Sequence, residues 1–161
     1  INAVLHAHPP KCIAFTIAGE SLSKCILPEV VFTIGAIPTI PYATPGSNEV
    51  ADSIRNYIKQ TDCIMLERHG SVTVGKGIFE AYRKLEKMEH AAEIYIYTKI
   101  LGTLSTINTA EVDKLLSLRS NFNLTNPIIR CETSNCSSNN VIEDKDKLVE
   151  IITRRVLESF R

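Results

Sequence analysis

Apolar and polar positions alternate with a period of two along residues 2–8, NAVLHAH, which predicts a short strand. Side chains two apart share a face, so His6 and His8 point to the same side. Pro9 and Pro10 end the ladder, because neither carries an N–H to donate. The apolar stretch 11–18 reads as a helix, with Gly19 placed to close it. Pro28 opens a second apolar run over 29–35, which makes Glu29 a strand-start carboxylate. Residues 37–42 hold Pro38 and Pro41 and fit an edge strand at best.

The pattern then changes period. Ser47 is a helix N-cap with Glu49 in the first turn, and Val50, Ile54, Tyr57 and Ile58 mark one face of a helix over 48–59. Residues 62–67 form a buried-type strand ending at Arg68-His69-Gly70, and 71–74 form a second, β-branched strand. Gly75-Lys76-Gly77 turns the chain into a long helix over 78–101, where Ile78, Ala81, Leu85, Met88, Ala92 and Ile96 recur at helical spacing. Asn108 and Glu111 are spaced to cap a short helix over 112–118. Strands alternating with helices predict a layered α/β domain over residues 1–120. Beyond it, 121–145 is rich in Asn, Ser and Thr and reads as a polar linker. Residues 146–161 read as an amphipathic helix, with Leu148, Ile151, Ile152, Val156 and Phe160 on one stripe.

Composition adds exclusions. The 161 residues are 44% hydrophobic, enough for a core, and 18 basic residues balance 18 acidic ones. A balanced chain has no global pull toward nucleic acid or an anionic membrane, and no apolar run approaches a membrane span. Five cysteines, Cys12, Cys25, Cys63, Cys131 and Cys136, are an odd number without framework spacing. They are expected to be free thiols in a cytoplasmic protein. The chain begins without Met and close to a strand, so it is expected to be a fragment of a longer one.

The candidate chemistry lies in three histidines. His6 and His8 sit on one strand face about 7 Å apart at Cα, and His69 ends a later strand where a turn can aim it. Catalytic zinc takes three protein ligands and keeps a fourth position open. The stretch Gly70–Gly77 approaches a phosphate-binding P-loop, but Gly77 stands where Ser or Thr must meet magnesium, and its interior favours a strand. His90 lies mid-helix and reads as structural or exposed.

NAVLHAHPP followed by MLERHGSVTVGKGIFEAY closely resembles the class II aldolase/adducin family. The matching residues are His6, His8, His69-Gly70 and the helix start Glu80-Ala81, within roughly residues 2–101. The resemblance implies an α/β sandwich with a mostly antiparallel central sheet flanked by helices. It implies Zn2+ held by His6, His8 and His69, and a homotetramer acting on a phosphorylated sugar. The implied reaction is retro-aldol cleavage of a ketose phosphate, such as fuculose 1-phosphate, to dihydroxyacetone phosphate and an aldehyde. Zinc would act there as a Lewis acid. The family's acidic proton carrier and its Gly/Ser-rich phosphate loop belong upstream of the H-x-H strand, so this chain alone is expected to be a poor catalyst. Glu29 is the one ionisable group where the family carries a proton donor. Alternatives within the fold are a pentulose-phosphate 4-epimerase and a sugar-phosphate dehydratase; a non-catalytic adducin-like binding module is the third. The linker and terminal helix also resemble peptides that dock enzymes onto a bacterial microcompartment shell protein.

Overall fold

The computed structural model describes residues 1–133. Four strands form one sheet in the order β1-β4-β3-β2: β1 (Ala3–Ala7), β2 (Thr39–Ile40), β3 (Cys63–Leu66) and β4 (Gly70–Gly75). β4 pairs antiparallel with both β1 and β3, and β2 adds in parallel to β3, so the sheet is mostly antiparallel as expected. The segment with two prolines is indeed an edge strand, where a missing N–H costs no ladder bond.

Helices cover both faces. α1 (Pro10–Ala18) and α4 (Ile78–Leu101) lie on one side, where Cys12, Phe15, Met88 and Tyr95 meet Cys63 and Met65. α3 (Asn48–Tyr57) covers the other, where Val50, Ile54 and Tyr57 pack on Ile64, Leu66, Val72 and Ile40. Alternate residues of β3 thus serve opposite faces, which explains why all four are buried and apolar. The capping expectations hold: Ser47 Oγ accepts from Glu49 N–H, and Asn108 Oδ1 accepts from Glu111 N–H at the start of α5 (Thr109–Ser117).

Four expectations need correction. Residues 28–33 form a helix, α2 (Pro28–Thr33), and Glu29 lies in its first turn rather than at a strand start. Pro at the first helical position is pre-organised for a helix, and an apolar run this short does not decide between the two structures. The stripe of α4 holds at Ala81, Met88 and Ala92 but is wider than expected: it also buries Lys84, Ala91 and Tyr95, while Ile78 is exposed. Lys84 earns its buried place by donating to Asp62 Oδ2 (2.7 Å), Glu80 Oε1 (2.6 Å) and the Val74 carbonyl (2.9 Å). Burial opposes its charge, but the two carboxylates prevail and its pKa is raised.

The third correction concerns the region after α5. A 3-10 turn (Leu118–Phe122) leads into a strap that docks on the body up to Thr133, where a linker was expected from residue 121. Arg119 donates to the carbonyls of Phe32 (2.5 Å) and Asn126 (2.6 Å), tying α2 to the strap. Ala36 N–H donates to the Ile129 carbonyl, Cys25 N–H donates to the Glu132 carbonyl, and Glu132 N–H donates to the Ser23 carbonyl. Cys25 and Cys131 are joined as a disulfide, against the expectation of free thiols. Cys12 and Cys63 are free and buried, as expected. The remaining linker, Cys136 and the terminal helix at 146–161 lie outside the described residues.

Candidate metal centre

β1 runs antiparallel to β4 with His6 opposite Val72 and Ala7 opposite Ser71. The β3–β4 hairpin closes with Leu66 opposite Gly70, leaving a three-residue turn of Glu67, Arg68 and His69. Sheet order does the rest. Because β1 lies beside β4, the end of β1 and the β3–β4 turn meet at one corner of the sheet. Arg68 adopts the left-handed region (φ 58°), which lets the chain reverse in so few residues.

The three imidazoles converge. One ring nitrogen from each of His6, His8 and His69 lies within 4.8 Å of the other two. Ring centroids stand 4.9 Å apart for His6–His8 and His6–His69, and 5.2 Å for His8–His69. His6 Nε2 and His8 Nε2 approach to 3.2 Å. His6 Nδ1 sits 2.9 Å from the Ser71 carbonyl, which can only accept, so the proton is on Nδ1 and the Nε2 lone pair is free. Burial first, then the His6 and His8 rings, hold the His69 pKa below the ordinary imidazole value, which keeps it in its neutral, ligating form.

Gly70 makes this crowding possible. A Cβ there would stand 2.5 Å from the Ala7 carbonyl oxygen and 2.7 Å from His8 Cδ2. The pairing His69-Gly70 in the sequence is therefore a packing requirement, since the ring of His8 occupies the space a side chain would take.

These features fit a divalent cation. Three neutral nitrogen donors converge, one is pre-oriented by a backbone acceptor, and two rings are exposed on one side. Among the described residues no carboxylate joins the cluster. Glu29 is exposed on α2 and is not brought into it. The near P-loop is strand β4, consistent with its β-branched interior, and His90 is exposed on α4.

Sequence reasoning missed the supports. The acceptor for His6 is a backbone carbonyl, which leaves no trace in residue identity. Thr16 Oγ1 accepts from Arg68 N–H at 2.9 Å; its one signal was a polar residue inside an otherwise apolar helical stretch. Glu67 Oε2 accepts from Tyr42 N–H at 3.0 Å and holds the turn from the other side.

The fold is an α/β domain with a mostly antiparallel sheet between helical layers, and a three-histidine candidate metal centre stands at one corner of the sheet. Residues 1–96 match the class II aldolase and adducin N-terminal domain, and the chain belongs to that family. It is 39% identical over 94 residues to the L-fuculose phosphate aldolase of Methanococcus maripaludis (strain S2), covering 58% of this chain and 51% of the relative. It is 32% identical over 102 residues to the 3-oxo-tetronate 4-phosphate decarboxylase of Cupriavidus necator, covering 61% of this chain and 47% of the relative. Among solved structures it resembles YgbL from Klebsiella pneumoniae, with a TM-score of 0.63 at 25% identity, over 70% of this chain and 56% of that one. The chain spans about half the length of the curated relatives it matches.

Proposed function

We propose that this protein is a metal-dependent carbon–carbon lyase acting on a phosphorylated ketose, with zinc as the metal and His6, His8 and His69 as its ligands. The convergence of three imidazole nitrogens within 4.8 Å carries the reading. When bound, the ion supplies Lewis-acid stabilisation of negative charge developing on a substrate carbonyl oxygen. His6 presents Nε2 because Ser71 holds Nδ1–H. His69 stays neutral because its surroundings disfavour the charged ring. Neutral ligands leave most of the cation's charge for the substrate. Glu29, exposed on α2 and outside the histidine cluster, is not assigned the proton, and a homotetramer belongs to the same reading.

The test is metal analysis of the purified protein combined with product analysis on fuculose 1-phosphate. Stoichiometric zinc, with dihydroxyacetone phosphate and an aldehyde released, supports the lyase. Carbon dioxide from a phosphorylated keto acid, or an isomeric pentulose phosphate from a pentulose phosphate, would replace it with a sister reaction. Metal binding that survives loss of His69 would remove the site altogether.

A further inference from the structure

Two of the three histidines stand on either side of α1, and both ends of that relation are held by side chains with no place in the metal cluster. α1 begins at Pro10, two residues after His8, and its N-cap Pro9 offers no side-chain acceptor. The N–H groups of its first turn, which have no partner within the helix, are satisfied from another helix. Glu89 of α4 accepts Lys11 N–H at 3.1 Å through Oε1 and Cys12 N–H at 3.0 Å through Oε2. A carboxylate astride a helix N-terminus also meets the positive end of the helix dipole.

Four to five residues on, about 6–8 Å along the axis, Thr16 Oγ1 donates to Ile13 O at 2.8 Å and accepts from Arg68 N–H at 2.9 Å. Thr16 is only 4% exposed, so water has little access to replace it. Arg68 is the left-handed residue of the turn, and His69 follows it directly. The helix between these contacts is packed firmly: Phe15 meets Tyr95 of α4 edge to face at 4.9 Å between centroids.

We propose that α1 is the spacer that sets the geometry of the metal centre, with Glu89 fixing its start behind His8 and Thr16 fixing the turn that carries His69. Thr16 and Glu89 are positioning residues: neither ligates, and each acts through the backbone that presents a ligand. The proposal rests on the reading of the three histidines as a metal site. Losing a direct hydrogen-bond partner of a ligating side chain lowers metal affinity roughly 10–100-fold, and a contact to the backbone beside the ligand belongs at the lower end of that range.

The experiment uses the full chain with Co2+ as the spectroscopic probe, alongside amide exchange in the metal-free protein. Thr16→Val keeps the shape of the side chain but removes the acceptor. It should speed exchange at the Arg68 amide, weaken Co2+ binding by about tenfold or more, and alter the visible Co2+ bands. Thr16→Ser should restore all three. Glu89→Gln is the second variant, expected to expose the Lys11 and Cys12 amides and weaken Co2+ less. Thr16→Val and Glu89→Gln proteins that bind Co2+ with native affinity and spectrum would overturn the proposal while leaving the metal reading intact. A native chain that gives no histidine-bound Co2+ spectrum would overturn both.

Discussion

The corner that gathers the histidines and the strap that follows α5 are both held by contacts distant in sequence, yet they are built differently. At the corner, His6 lies near the end of β1, His8 follows just beyond it and His69 lies in the β3–β4 turn, and their meeting follows from the pairing register of the strands that carry them. In the strap, segments without repetitive structure are tied to the body one contact at a time: a disulfide, an arginine on two carbonyls and a few bridges. A sheet corner carries a periodic signal that the sequence advertises. A strap carries none, because its anchors are single residues whose partners can stand anywhere.

Gly70→Ala bears on the corner most heavily. The new Cβ would have to displace either the Ala7 carbonyl or the His8 ring. Divalent-metal affinity should fall more than the roughly 10–100-fold expected for a lost outer-shell contact, while the Cys25–Cys131 bond still forms. Isothermal titration and thiol counting check the two halves together. Equal affinity in the variant would show that the imidazoles do not need this close approach.

Reducing Cys25–Cys131 is the reverse case. The bond joins residues 106 apart in sequence, and removing it should cost about 2–4 kcal/mol. Cys25→Ser with Cys131→Ser should therefore lower the melting temperature, with metal affinity unchanged. If affinity fell with stability, strap and corner would be one cooperative unit. The pair also sits in a small separate core with Val31, Ala36 and Val112, which localises the expected damage to α2 and α5.

The smallest effect is on pH. The His69 pKa is lowered on folding, so the folded state binds its proton less readily than the unfolded state. Its contribution is complete above the unfolded value near about 6.5 and is lost as pH falls through the folded value. Stability of the metal-free protein should thus decline slightly below about pH 6.5, and metal affinity should decline with it as protons compete for the ring nitrogens. His69→Gln should flatten the stability change. An unaltered profile would mean that the ring is not burdened by its neighbours.

Much of this was legible beforehand. The period-two run ending in His6 and His8, the buried strand before His69 and the long helix after Gly77 were placed by pattern alone, because burial on a repeating element imposes a repeating sequence. The helical caps at Ser47 and Asn108 were legible for a related reason, since a cap satisfies backbone donors two or three residues away. What the sequence could not rank was a short apolar run such as 28–33, where strand and helix hide their side chains equally well.

Tertiary structure alone decided the rest. Whether the H-x-H strand would lie beside the His69 turn depended on strand order, which no local pattern encodes. Lys84 turned inward because Asp62, 22 residues earlier, waits just before the start of β3. Cys25 found Cys131, and Thr16 found the Arg68 amide, only once the helices had docked. Local sequence determines which groups can ligate, cap or cover a sheet, because those roles are satisfied by neighbours within a turn or a pleat. Which distant group completes each one is fixed by packing, where shape and the need to pair buried polar groups choose among many chemically equal partners.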